Sequence, residues 1–368
     1  MNHPDFLIVG AGIIGLSTAW QLARKGFSVE VIDCGEAGRE SSWAGGGILF
    51  PLWPWDYSEA VTALTECGRT VYPQWVSEIS EAGKVDPEYR QTGLLALPPL
   101  DIERAQTWCA AHDLQESRVT GTEISPLLAM HSHGLWLPSV AQVRNPRLIR
   151  SLVNAVDSCG VTIREHTKVL DIVIDKNRVS SLATTQGTIS AGTFIVCAGA
   201  WSKDLLGQYA AGTNIFPVKG QMLLYATPPG TLDTIVLRKD HYLIPRADGH
   251  ILAGTTKELV GFEKNITEVA AKELHDSAKA TLPYLSNLQP LHHWAGLRPG
   301  SPANIPIISR HPDIENLYLN SGHFRYGLTM APAAAQILTN LITGQPQMLD
   351  VTSYQWPKSE SSKYNLGG

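Results

Sequence analysis

The sequence has little of what marks a nucleic-acid-binding or membrane protein. Its 368 residues carry 29 Lys and Arg against 34 Asp and Glu, a net charge of −5, and the basic residues form no block. With a pI near 6.2, that balance argues against nucleic acid or an anionic membrane surface as the main partner. The five cysteines (Cys34, Cys67, Cys109, Cys159, Cys197) contain no Cys-x-x-Cys pair. An odd, dispersed set is a poor disulfide framework, and a reducing cytoplasm is the simpler setting. The apolar run from Phe6 to Leu22 could pass for a signal sequence on hydropathy alone. Asp5 stands where a basic region would be needed, and glycines of another pattern lie inside the run. No other stretch approaches the roughly 20 apolar residues that cross a bilayer. Repeats at solenoid periods are lacking, and so is a convincing Ser/His/Asp or paired-carboxylate set. His131 and His133 form His-x-His, and His292 and His293 are adjacent, but no third and fourth ligand stands at metal spacing. No metal site is expected.

What is present is concentrated first in Asp5 to Asp33, DFLIVGAGIIGLSTAWQLARKGFSVEVID. Phe6–Val9 reads as a short buried strand that stops at Gly10, Gly12 and Gly15, a G-x-G-x-x-G turn. Apolar residues then recur at helical spacing from Ile13 to Lys25, Gly26 ends the helix, and Ser28–Ile32 reads as a second strand closed by Asp33. Gly10 permits the tight turn, Gly12 lets backbone N–H groups approach a pyrophosphate, and Gly15 lets helix and strand lie close. The helix N-terminus favours phosphate charge, and Asp33 is placed to accept from a ribose hydroxyl. An ADP half is expected here. The motif alone does not separate FAD from NAD.

The chain's length suggests two domains. After Asp33, Gly45, Gly46 and Gly47 follow in a row, which suggests backbone pressed against something flat or bulky. Helices are expected over Tyr57–Glu81 and Ile102–His112, and another is capped by Asn145 with Pro146 at its first position and ends at Cys159-Gly160. Strands are expected over Tyr89–Leu97, Val161–Glu165, Lys168–Ile174, Arg178–Thr184 and Thr188–Val196. The last runs into Ala198-Gly199-Ala200, a second turn that places backbone beside the same ligand. Val218–Tyr225, Thr234–Leu237, His241–Pro245 and His250–Thr255 then read as an antiparallel meander. A helix over Ile266–Leu282, a strand over Leu317–Asn320 and a helix near Met330–Ile342 close the chain. The fold class is therefore α/β: a discontinuous Rossmann-like nucleotide domain (1–85, 142–216 and 291–356) with an antiparallel-sheet substrate domain (86–141 and 217–290) and a polar tail (357–368).

GAGIIGLSTAWQLA, VCAGAWS, WAGLRPGSPANIPIIS and SGHFRYGLTMAP together resemble the D-amino-acid oxidase and glycine oxidase group of flavoproteins, in particular the glycine oxidases of the thiamin-thiazole pathway. The resemblance covers nearly the whole chain, and its C-terminal pair of segments is far more specific than the N-terminal glycines. It implies one extended FAD, oxidation of an amine or amino acid to an imine, reoxidation by O2 to H2O2, a homotetramer, and service to thiamin supply. It places Ile13 and Ile14 in the pyrophosphate turn, Asp33 on the adenosine ribose, and Cys34, Ser41, Ser42, Gly46, Gly47 and Ile48 along the cofactor. Val169 corresponds to the position touching adenine. Phe324, Arg325, Tyr326, Gly327, Leu328, Thr329 and Met330 match the loop over the isoalloxazine. Arg298 in GLRP matches the carboxylate-binding arginine, Tyr242 in HYLIPR its tyrosine partner, and Arg325 also reaches the substrate. No cysteine follows Cys197, so cysteinyl attachment in the C-terminal region is excluded and non-covalent FAD is expected. Lys257, where a related glycine oxidase has an apolar methionine near the substrate, and Ile48 and Phe50 are departures that bear on side-chain preference.

Residue chemistry supports these roles independently. A substrate carboxylate held away from water needs a planar bidentate donor, which is arginine's geometry. The expected reaction is oxidation of glycine, sarcosine or small D-amino acids by hydride transfer from Cα to flavin N5, with the protein orienting and the cofactor doing the hard step. Three alternatives stay open. One is a D-amino-acid dehydrogenase that passes electrons to a quinone or carrier, and another is a flavin-binding subunit of a heteromeric amine oxidase. An NAD-dependent dehydrogenase explains the first 33 residues but not GLRPG or the last glycine turn.

Overall fold

The computed structural model describes residues 3–129 and 133–357. His131 and the tail from Lys358 lie outside the described residues. Phe6–Val9 sits inside a six-stranded sheet of order Ile307–Arg310, Leu317–Ser321, Thr193–Val196, Phe6–Val9, Val29–Ile32, Thr162–Arg164. All neighbours pair in parallel except the edge strand Ile307–Arg310. Because side chains alternate along a strand, Phe6 and Ile8 face one layer while Leu7 and Val9 face the other. The first layer is helical: Ile13–Arg24, Glu59–Gly83, Asn145–Ser158 and Gly327–Thr343. The second is a three-stranded antiparallel sheet of Val169–Asp175, Arg178–Thr184 and Gly187–Ile189. A sheet covered on both faces requires uninterrupted apolar runs such as FLIV and TFIV, which are buried end to end or nearly so.

The single strand expected over Thr188–Val196 is two. Gly187–Ile189 pairs with Arg178–Thr184, whereas Thr193–Val196 enters the parallel sheet. Only Ile189 of the first half is buried, whereas Phe194, Ile195 and Val196 all are, and each half belongs to a different layer.

The second architectural unit is an eight-stranded sheet ordered His292–Gly300, Phe216–Ala226, His250–Gly254, His241–Pro245, Ile235–Arg238, Leu94–Leu97, His133–Leu137, Ser117–Thr120. It is antiparallel except where Ile235–Arg238 runs parallel to Leu94–Leu97. One face packs on the helix Glu268–Thr281, and the other carries Met222, Tyr242 and Ile244 towards Phe50 and Leu52. His292–Gly300 corrects the boundary drawn at residue 291. It pairs along its length with Phe216–Ala226 and is an edge strand of this sheet. Gly296, Pro299 and Gly300 conceal the strand in the sequence, yet an edge tolerates a proline that cannot donate.

The helical layer depends on close backbone approach. A Cβ on Gly68, in the helix Glu59–Gly83, would lie 2.1 Å from the Thr329 carbonyl oxygen. Gly68→Ala is expected to destabilise the protein by about 1–3 kcal/mol through overpacking, read as a lower melting temperature. An unchanged Tm would show that these helices do not meet at this point.

Candidate active site

A single cavity of about 560 Å³ is walled by both sheets. At one end the Gly10 turn (φ 111°) leaves no room for a side chain: a Cβ there would lie 2.4 Å from the Cys197 carbonyl oxygen. Gly12 caps the helix Ile13–Arg24 without any side-chain cap. The Ile13 N–H donates to Ser42 Oγ at 2.9 Å. Asp33 organises the same turn, its Oδ2 accepting from the Ala11 N–H at 2.7 Å and its Oδ1 from the Gly35 N–H at 2.9 Å. Gly10, Gly12, Ile13, Ile14, Asp33, Cys34, Ser41, Ser42 and Val169 all line the cavity. Gly15 does not line the wall; a Cβ there would lie 1.9 Å from the Gly10 carbonyl oxygen, so its place is the helix–strand contact.

Asn145 does not cap its helix. The helix Asn145–Ser158 follows Arg144 with no side-chain cap, and the buried Asn145 Nδ2 donates instead to the Ser42 carbonyl at 2.7 Å. This bond crosses from the helix to the segment before the glycine run, and Gly46, Gly47 and Ile48 continue the wall.

The opposite end is built on the eight-stranded sheet, where two glycines make space for two large side chains. Arg298 pairs in register with Val218, and its guanidinium folds over Gly220, whose Cβ would lie 2.2 Å from Nη2 and 2.3 Å from Nη1. Nη2 donates to Thr255 Oγ1 at 2.6 Å and Nη1 to the Thr256 carbonyl at 3.3 Å. Both partners are uncharged. Burial lowers the Arg298 pKa, an effect that Tyr242 opposes and Arg325 reinforces. Tyr242 lies over Gly254 in the same way, with a Cβ 2.8 Å from Cε2, and its hydroxyl is 3.9 Å from Met222 Sδ.

The third wall is the turn before Gly327–Thr343. Phe324 has left-handed backbone (φ 45°), and its N–H donates to the Pro299 carbonyl at 2.9 Å. Arg325 stacks over its ring at 5.6 Å. Tyr326 donates to the Leu52 carbonyl at 3.2 Å and contacts the Tyr57 hydroxyl, fixing the segment with Phe50 and Leu52. Phe324, Arg325, Tyr326, Gly327 and Leu328 line the cavity, as do Ala198 and Gly199 from the middle turn. Thr329 and Met330 do not: both are buried, Thr329 offering Oγ1 to the Ile48 carbonyl at 3.5 Å and Met330 packing in the helical core. Lys257 is exposed and outside the wall, while Ile48 and Phe50 are in it.

Sequence reasoning missed Gly220, Thr255 and His323 as wall residues. A lone glycine inside an apolar strand, as in VKGQMLL, signals close approach and could have marked Gly220. His323 has no such signal. Its ring is buried with no hydrogen-bond partner, and burial lowers its pKa to about 3, so it is neutral.

These features fit a bound dinucleotide. Two helix N-termini without side-chain caps, Ile13–Arg24 and Gly327–Thr343, open on the cavity. Arg325 Nε and Asn145 Oδ1 are buried without partners, and such groups are normally satisfied.

The family described as FAD dependent oxidoreductase matches residues 5–341. The chain is 44% identical to a glycine oxidase of Pseudomonas putida, covering 95% of this chain and 97% of that protein. It is 30% identical to a bifunctional protein ThiO/ThiG of a Synechocystis species over 93% of this chain and 52% of that longer protein. The crystal structure of a glycine oxidase from Geobacillus kaustophilus superposes with a TM-score of 0.92 at 25% identity, covering 97% of this chain and 99% of the other.

Gly220→Ala is expected to displace the Arg298 guanidinium and weaken binding of small carboxylates about tenfold or more, measured by equilibrium titration. Undiminished carboxylate binding would show that the guanidinium does not need the space over Gly220.

Proposed function

The chain belongs to the FAD-dependent oxidoreductase family, and on that premise we propose that it oxidises glycine and similarly small amines or D-amino acids, sarcosine and D-alanine included. The observation that carries this reading is Arg298, a half-buried guanidinium that lines the cavity and donates to the neutral oxygens of Thr255 and Thr256. A partly desolvated cation with donors to spare calls for an anion, and a carboxylate matches its planar fork. Tyr242 offers a neutral donor beside it. Phe50, Leu52, Met222 and Ile48 supply apolar surroundings, which favour the small, weakly polar remainder of such a substrate.

In this reading the eight-stranded sheet and its helix bind substrate, while the six-stranded sheet and its two covering layers bind FAD. The Gly10 turn, Ile13, Ile14 and Asp33 hold the ADP half. Cys34, Ser41, Ser42 and Val169 follow the cofactor, and the Gly46–Ile48, Ala198-Gly199 and Phe324–Leu328 segments surround its redox end. Held by those segments, FAD would supply the hydride acceptor and the route of the electrons to O2. The balanced reaction is glycine, O2 and water giving glyoxylate, ammonia and H2O2. The residues of the chain grip the carboxylate, turn Cα towards the cofactor and keep water out; none is needed as a nucleophile. Likeness to a ThiO/ThiG protein supports service to thiamin-thiazole synthesis. Among the described residues no helix is long and apolar enough to cross a membrane.

Arg298→Ala should retain FAD and lose about a hundredfold or more in kcat/KM for glycine, the scale of breaking a buried charged pair. Arg298→Lys should recover only part. Glycine-dependent H2O2 release is the measurement, and an unchanged kcat/KM in the alanine variant removes the carboxylate role. Peroxide release against reduction of an artificial acceptor under air distinguishes an oxidase from a carrier-linked dehydrogenase.

A further inference from the structure

Arg246 follows the strand His241–Pro245 that carries Tyr242, and only 6% of its surface is exposed. Its guanidinium reaches across to the other unit. Nη1 donates to Gln142 Oε1 at 2.6 Å and to the Val143 carbonyl at 2.9 Å, and Nη2 donates to the Gly46 carbonyl at 2.8 Å. Burial lowers its pKa to about 10, with Arg144 and Arg90 acting in the same direction and Glu88 and Asp248 against it. It therefore stays charged at neutral pH.

The Gly46 carbonyl matters because of where the rest of that peptide goes. In a trans peptide the C=O and N–H point in opposite directions. With the Gly46 carbonyl drawn to Arg246, the Gly47 N–H points to the other side, and both glycines lie in the cavity wall. No backbone acceptor among the described residues takes the Gly47 N–H. Beyond it, the chain is tied down by the Val143 N–H to the Gly47 carbonyl and the Leu49 N–H to the Ala141 carbonyl, both at 2.9 Å. Nothing comparable fixes the preceding Gly-Gly peptide, which glycine's freedom makes easy to flip. Gly47 already has φ 80°. Gly46 lies beside Tyr242, with a Cβ 3.3 Å from its Cε2, so this peptide stands at the Arg298 end of the cavity.

We propose that Arg246 is a positioning residue that locks the Gly46–Gly47 peptide so that the Gly47 N–H is presented, as a free donor, to an acceptor atom of FAD bound in the cavity. A fixed donor at the redox end stabilises the charge that reduction brings and needs no reorganisation when it arrives. Substrate recognition through Arg298 is separate. The inference rests on the reading that the Tyr242 end of the cavity holds the redox end of the cofactor.

The test compares wild type, Arg246→Met and Arg246→Lys for FAD dissociation constant, flavin midpoint potential, visible flavin bands and apoprotein Tm. Lysine keeps the charge and the fold but cannot span two carbonyls. Both variants should bind FAD about tenfold more weakly, with a more negative midpoint potential and shifted bands, the methionine variant more strongly. A lower Tm with bands and potential unchanged in both variants means that Arg246 only holds the fold, and overturns the proposal. A wild-type protein that binds FAD but does not turn over glycine would instead count against the function reading alone.

Discussion

A half-buried guanidinium, Arg298, held over a glycine by two threonine oxygens, is the constraint on which one end of the cavity depends. Desolvating a cation, even in part, is costly unless it is paired, and among the described residues no carboxylate forms an ion pair with Arg298, whose hydrogen bonds go to Thr255 and Thr256. The chain tolerates this because the side chain lies flat over Gly220, with Thr255 and Thr256 satisfying part of its fork. Arg298 lines the cavity, where, in the proposed function, the substrate's carboxylate completes the pair. Stability is surrendered locally in exchange for recognition.

The cofactor end follows the opposite logic, because it presents backbone rather than side-chain charge. The Gly10 turn, the Gly45–Gly47 run and the Phe324–Leu328 turn bring main chain to the cavity from three distant parts of the sequence. Each depends on a neighbour that fixes peptide orientation: Asp33 for the first, Arg246 for the second, Pro299 for the third. Backbone amides can hold a large polar group without a compensating buried charge. That suits a cofactor whose ring must change charge during turnover.

The two ends are joined by bonds between segments distant in the chain. Arg246 links the Tyr242 strand to the glycine run, Asn145 links its helix to Ser42, and Tyr326 links the last helix to Leu52. These cross-links couple the position of the Arg298 and Tyr242 end to that of the glycine-turn wall, so the distance between them is a property of the whole fold. A shift of about 1 Å in such an arrangement is enough to slow reaction strongly.

The sequence by itself determined the first strand–turn–helix unit, since three glycines and Asp33 at fixed spacing leave the backbone few options. The apolar runs of the parallel strands and the meander of the second half were equally readable, because periodicity and turn residues are local. Family likeness drew attention to Arg298, Tyr242 and the last turn, which local pattern could not connect. Only tertiary structure decided that Thr188–Val196 divides between two sheets, that HHWAGLRPG is a strand, and that Asn145 reaches Ser42 rather than capping its helix. It alone showed that Gly220 exists for a guanidinium and Gly254 for a phenol ring. The reason is range: a helix or turn is set by neighbours a few residues away, whereas a cavity is set by which distant backbones approach closely enough to leave no room for a Cβ.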